Sequence, residues 1–283
     1  MTNVGVVGAG VMGIGVAQDL AQKGHSVVLV DNNPDALDEA LARIELECRM
    51  SRMLGGPPVD AEAVLASITA GTSLELLAET EVVIENITED WGLKSALYAQ
   101  LDVVCKADTV FVANTSAIPI TKLAALTSRP DKVMGVHFMN PVPMKAACEF
   151  IPGYHTSEQT KDTVRALLDS MGKKAIPVND SPGFVSNRVL MLTVNEAAFL
   201  VHEGVADAKT VDEVFRSCFG HPMGPLETAD LIGVDTILYS VEVLYEQFND
   251  SKYRPCPLLK KMTDAGLHGR KSGEGFYVYQ SMG

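Results

Sequence analysis

The stretch "VGVVGAGVMGIGVA", residues 4–17, decides the fold. It opens on a β-branched run, Val4 to Val7. It then passes through Gly8, Gly10 and Gly13 in G-x-G-x-x-G order and continues as an amphipathic pattern from Val11 to Lys23. Glycines in that order alone are a weak signal. Set between a strand and a helix, they are the phosphate-binding turn of a dinucleotide fold. Gly8 permits the tight turn, Gly10 has no side chain to hold a pyrophosphate away, and Gly13 lets the helix pack close to the strand. The first N–H groups of the helix, at Val11, Met12 and Gly13, have no intrahelical partner and suit an anion. A second apolar run, "GHSVVLVD", ends at Asp31, 18 residues past Gly13. Its carboxylate is placed for the ribose hydroxyls of the cofactor. A 2′-phosphate would meet that charge, and Asn32, Asn33 and Pro34 offer no arginine to receive it. The expected cofactor is therefore NAD rather than NADP.

Outward from this unit the pattern repeats. A helical periodicity covers roughly Pro34 to Leu54, "EVVIEN" and "TVFVANTS" are further strands, and a helix lies between them near Trp91 to Cys105. "KVMGVHF" and "CEFIPG" supply two more strands. Near-continuous apolar runs alternating with helices predict a doubly wound, mainly parallel sheet of Rossmann type. After "NDSPGF" (residues 179–184) the strands stop, save for a short "FYVY" near the end, and helical patterns take over at 184–203, at 207–218 and beyond Pro225. The expected division is an NAD-binding α/β domain over 1–182 and an all-helical domain for substrate and dimerisation over 183–283.

Composition limits what such a chain can do. Hydrophobic residues make up 47% of its 283 residues, enough for packed cores. A net charge of −13 gives it no general electrostatic reason to bind nucleic acid or an anionic membrane. No apolar run reaches the ~18 to 20 residues of a membrane span, and "MTNVGVVGAG" lacks the basic start of a secretion signal. Five scattered cysteines without a CxxC or Cys/His cluster predict free thiols in the cytoplasm and no metal site.

One polar pair interrupts the apolar strands. His137 ends "GVH", and Glu149 follows twelve residues later between a cysteine and a phenylalanine. A satisfied core histidine is the plain reading. Ligands of such sheets, however, bind at the carboxyl ends of the strands, where "NTS" (Asn114 to Ser116) and His137 both fall. Taking a hydride from a carbinol carbon requires a base for the hydroxyl proton, and histidine titrates near neutrality. A carboxylate on its other ring nitrogen would fix the tautomer. Glu149 suits that part.

With these residues in view, the chain resembles the 3-hydroxyacyl-CoA dehydrogenases, above all the single-function 3-hydroxybutyryl-CoA dehydrogenases. The resemblance runs over nearly the whole chain, through "GAGVMG", "ANTSAIPIT", "GVHFMNPVP" with Glu149, "DSPGFVSNRV", "HPMGPLETADLIGVD" and "GRKSGEGFY". It implies His137 as catalytic base with Glu149 as its partner, and Ser116 at the reacting oxygen and the nicotinamide side. It also implies Asn187 at the acyl portion of the substrate, and Glu89, Lys94, Asn140 and Lys271 as cofactor contacts. Two wordings depart from the family: "NTSS" is "NTSA" here, so Ala117 replaces a second hydroxyl, and "MKAACE" precedes the glutamate with the His–Glu spacing intact.

The helix after Asp31 departs further. It carries Asp35, Asp38, Glu39, Glu45 and Glu47 against Arg43 and Arg49, with Glu47 and Leu54 where the family contacts CoA. An acidic helix suits a phosphorylated adenosine poorly. A solvated helix face is the plain reading of that charge, and the resemblance implies a short 3-hydroxyacyl thioester on CoA as the substrate. The alternative is a glyceryl- or seryl-type group on an acyl carrier protein, as in relatives that make polyketide extender units. A non-catalytic NAD-binding protein on this fold would be expected to have lost His137, Glu149 or Asn187. A hydroxyacid dehydrogenase with a lysine base would want a lysine where Arg188 stands. The apolar "VLMLTVNEAAFLVHEG" predicts that the helical domain pairs in a homodimer.

Overall fold

The computed structural model describes residues 2–51 and 58–279. Its first compact unit spans Met1–Asp180 and its second Ser181–Gly283. The strands of the first are β1 Asn3–Val7, β2 Ser26–Val30, β3 Ile68–Gly71, β4 Val82–Glu85, β5 Val110–Ala113, β6 Val133–His137, β7 Ala147–Pro152 and β8 Lys174–Pro177. Its helices are α1 Val11–Gln22, α2 Pro34–Met50, α3 Ala61–Ala66, α4 Trp91–Val104, α5 Ile120–Ala124 and α6 Glu158–Ser170. The sheet runs β3-β2-β1-β4-β5-β6-β7-β8. Its first six strands thus have the 3-2-1-4-5-6 order of the dinucleotide fold.

Every neighbouring pair is parallel except β6 and β7. The reversal at β7 has a direct consequence. In the antiparallel register His137 stands opposite Glu149, so twelve residues of sequence become one cross-strand neighbour. Parallel strands covered on both faces need apolar side chains throughout. Val4, Val6, Val27, Leu29, Val82, Ile84, Val112 and Val136 are accordingly buried in one core.

The periodicity expected to reach Leu54 is helical as far as Met50, and Leu54 lies outside the described residues. Two short strands escape the sequence pattern. β3 has a single hydrogen-bonded neighbour, as does β8, and both are mostly half-buried or exposed. Edge strands of this kind have no continuous apolar run to betray them. "FYVY" forms no strand. Isolated bridges join Gly269 to Glu274 and Glu274 to Val278.

The second unit holds α7 Ser186–His202, α8 Ala208–Phe219, α9 Pro225–Ile232, α10 Val234–Phe248 and α11 Pro257–Asp264. Met191, Val194 and Ala198 of α7 pack with Leu226, Ile237, Val241 and Leu259 in a separate core. The buried Asn195 is satisfied within it. It accepts from the Cys256 N–H (2.8 Å) and donates to the Arg254 carbonyl (3.0 Å). The "GRKSGEGFY" turn is held by Asp230, whose carboxylate accepts from the N–H groups of Phe276 and Tyr277 at 2.9 Å each and from the Tyr279 hydroxyl at 3.0 Å. Burial pushes the Asp230 carboxyl up, and the Tyr279 hydroxyl beside it rises to about 12, again chiefly through burial.

Candidate active site

The glycine turn lies between β1 and α1. Gly8 has φ +100°, and a Cβ there would come within 2.7 Å of the Asn86 carbonyl oxygen. A Cβ on Gly13 would fall 1.8 Å from the Gly8 carbonyl oxygen, so the close approach of helix and strand requires glycine. A Cβ on Gly10 would meet nothing within 4 Å. The space above Gly10 is open beside the N-terminus of α1, whose Gly10 cap supplies no side-chain acceptor. An open cradle with unpartnered first-turn N–H groups is what a pyrophosphate fits. Asp31, half-buried just past β2, takes the Ala9 N–H on one carboxylate oxygen (2.7 Å) and the Asn33 N–H on the other (2.9 Å). Each oxygen keeps a lone pair for a ribose hydroxyl.

His137 and Glu149 are both buried. His137 Nδ1 lies 2.7 Å from Glu149 Oε2, and Nε2 lies 3.0 Å from Ser116 Oγ. A carboxylate only accepts, so the pair assigns the proton to Nδ1 and leaves a lone pair on Nε2, facing the serine. Such an array can take a proton at Nε2 and stabilise the resulting imidazolium through Glu149.

The loop that carries Ser116 is fixed from two sides. Asn114 donates to Asn86 Oδ1 (2.7 Å) and accepts from the Phe138 N–H (3.2 Å), tying together the ends of β4, β5 and β6. Glu89 Oε1 accepts from the Thr115 hydroxyl and from the N–H groups of Ser116 and Ala117, each at 3.0 Å. Glu89 Oε2 lies 3.2 Å from Lys94 Nζ. Lys94 is itself 0% exposed and reaches both oxygens of Glu85 at 2.7 and 2.8 Å. The ammonium expected to contact the cofactor is thus enclosed by two carboxylates. Glu85 carries a signal the sequence reading passed over. Like His137, it is a polar residue at the end of an apolar strand.

Three other expected residues lie elsewhere in the sequence. Asn140 is exposed in the loop after β6. Asn187 is half-buried in the first turn of α7. Lys271 pairs with Asp235 at 2.7 Å. The last two belong to the second unit.

Comparison with known proteins decides the lineage. The family model "3-hydroxyacyl-CoA dehydrogenase, NAD binding domain" matches residues 3–181, and "3-hydroxyacyl-CoA dehydrogenase, C-terminal domain" matches residues 183–279. The chain belongs to the 3-hydroxyacyl-CoA dehydrogenase family. Among this family's members, a probable 3-hydroxybutyryl-CoA dehydrogenase of Bacillus subtilis is 46% identical over 276 residues, covering 97% of this chain and 96% of the relative. The mitochondrial hydroxyacyl-coenzyme A dehydrogenase of Homo sapiens is 34% identical over 286 residues, covering 98% and 91%. The crystal structure of (S)-3-hydroxybutyryl-CoA dehydrogenase from Ralstonia eutropha matches with TM-score 0.94 at 43% identity, over 99% of this chain and 100% of that one. As a 3-hydroxyacyl-CoA dehydrogenase family member, the chain is an NAD-dependent oxidoreductase acting on 3-hydroxyacyl thioesters. No helix among its described residues is long and apolar enough to cross a membrane.

Proposed function

We propose that the chain interconverts a short 3-hydroxyacyl-CoA and its 3-oxoacyl form, with His137 as the base. One observation carries this reading: Nε2 of His137 faces the Ser116 hydroxyl while Nδ1 is held by Glu149. NAD, when bound, accepts the hydride. His137 takes the hydroxyl proton at Nε2, and Glu149 stabilises the positive charge that results. Ser116 orients the reacting oxygen, Asn187 holds the acyl portion, and Gly8 to Gly13 with Asp31 hold the cofactor. Glu89, Asn140 and Lys271 are its further contacts, and Lys94 acts on it through Glu89.

CoA is favoured over a carrier protein by the state of α2. Glu47 is paired with Arg43 at 2.8 Å, and Glu45 with Arg49. Asp35 sits in the first turn, where negative charge suits the helix dipole. The carboxylate at the aligned CoA position is therefore compensated within its own helix, and the face is an ordinary solvated one. Asp31 favours NAD over NADP by its charge. Steady-state assays with one hydroxybutyryl group on CoA and on a phosphopantetheinylated carrier, each with NAD and NADP at equal ionic strength, test both points. The expected result is a higher kcat/KM with CoA and NAD, and a narrowed NAD preference in Asp31→Ala. A better carrier substrate overturns the first, and equal use of NADP the second.

The chain is further proposed to be a cytoplasmic homodimer. Val185, Val189, Val214 and Phe219 expose apolar side chains on α7, α8 and the turn before α7, and all five cysteines are free thiols. Light scattering at micromolar concentration should give a dimer's mass. A monomer's mass removes the pairing claim.

A further inference from the structure

The strands that carry His137 and Glu149 are joined by a loop, residues 138–146, with one 3-10 turn at Val142–Met144. Loops of this kind turn their carbonyl groups to water, yet two carbonyls of this one turn inward. Lys173, the residue before β8, is buried, and its Nζ donates to the Val142 oxygen at 2.7 Å and the Lys145 oxygen at 2.9 Å. The same Nζ lies 2.7 Å from Asp19 Oδ2. Two hydrogens of the ammonium thus go to carbonyls, and Asp19 supplies the opposite charge beside them. Asp19 is buried on α1, the helix that opens at the glycine turn. That helix touches the loop a second time. A Cβ on Gly15 would come within 3.1 Å of the Val142 side chain. The loop is therefore held to the cofactor-binding helix by a buried ion pair and by close packing.

A buried ion pair is weak evidence for stability, because apolar side chains of the same volume often serve as well. What this one adds is direction, since it fixes two backbone carbonyls in the span between the reacting pair. We propose that Lys173, with Asp19 as its counter-ion, is a positioning residue for the reaction, pinning loop 138–146 to α1 and thereby holding His137 and Glu149 in register. The inference rests on the reading of those two residues as the catalytic pair. Neither Lys173 nor Asp19 touches the reacting atoms, so their effect must pass through the histidine.

The test is a double-mutant cycle on the full chain, with kcat measured for Lys173→Met, His137→Gln and the double variant. A positional error of about 1 Å costs on the order of 10²-fold in rate. Lys173→Met is thus expected to lower kcat roughly 10- to 100-fold when His137 is present and by less than about threefold in the His137→Gln background. Equal factors in the two backgrounds, or an unchanged kcat beside a lowered melting temperature, would show a merely structural lysine and overturn the proposal. Should Lys173→Met fail to fold, Asp19→Asn carries the same cycle, because it keeps the shape of the pair and removes one charge. The two readings fail separately. If His137→Gln alone turns over normally, the catalytic pair is wrong. If it is slow and the Lys173 and Asp19 variants are not, only the positioning role is wrong.

Discussion

Replacing His137 by glutamine should lower kcat by about 10²- to 10⁴-fold while leaving NAD binding intact. The factor is the typical worth of a positioned proton acceptor, and it corresponds to roughly 3 to 5 kcal/mol of barrier. Glutamine is the informative replacement because it keeps polar atoms near Ser116 and Glu149 but cannot take a proton. The residues that hold the pyrophosphate and the ribose stand on other elements: Gly8, Gly10 and Gly13 on the turn from β1 to α1, and Asp31 after β2. Nothing in the substitution disturbs their hydrogen bonds to Val30, Ala9 and Asn33. Glu149→Gln should also lower kcat. It preserves the shape of the pair but offers the imidazolium a neutral amide in place of a carboxylate. Turnover with hydroxybutyryl-CoA, followed as NADH formed, and a fluorescence titration with NADH separate rate from binding. Near-normal turnover in both variants would make His137 a satisfied core histidine.

The glycine turn made the fold legible because its geometry leaves few choices. Gly13 must approach Gly8, and Gly8 must take a positive φ, so the residue types alone report strand, turn and helix. The dyad was legible for a different reason. A histidine and a glutamate in buried runs are conspicuous, and the reversal of β7 brings them opposite each other. What stayed hidden depends on contacts that leave no mark on local pattern. β3 and β8 are edges with half-exposed faces, and their four residues each cannot show a period. Lys173 follows Met171 and Gly172 and precedes a second lysine, in wording that reads as an ordinary turn. Only the packing of loop 138–146 over α1 turns it inward. Lys94 was visible by resemblance, but as a cofactor contact. Its enclosure by Glu85 and Glu89 is a tertiary event between the end of β4 and α4.

That enclosure sets the largest stability effect to be expected in the α/β unit. Lys94→Met should destabilise it by about 3–5 kcal/mol, because removing one partner of a buried pair strands the other charge. Glu85 is 1% exposed. Its carboxyl is already pushed up by burial, with the Lys94 ammonium opposing that push. Without the ammonium the carboxyl rises further above its unfolded value. The sign of the pH dependence follows. A group whose folded pKa is raised contributes stability that is fully present below its unfolded pKa and is lost as pH rises through the folded one. The variant's deficit against the parent should therefore be smaller near pH 5 than near pH 8. At about 2–4 °C per kcal/mol for a unit of this size, the melting temperature should fall by roughly 6–20 °C at the higher pH. Adding Glu85→Gln to Lys94→Met should recover most of the loss. The amide oxygen can still accept the Ile87 N–H that Glu85 Oε1 now takes at 2.8 Å, and no buried charge remains. Glu89 keeps Thr115, Ser116 and Ala117 as donors in every variant, so the loop that bears Ser116 should stay in place in the double variant and its kcat should exceed that of Lys94→Met. A deficit that does not vary with pH, or a double variant no more stable than the single one, would show that Lys94 is held by packing of its aliphatic stem and not by the charge of Glu85.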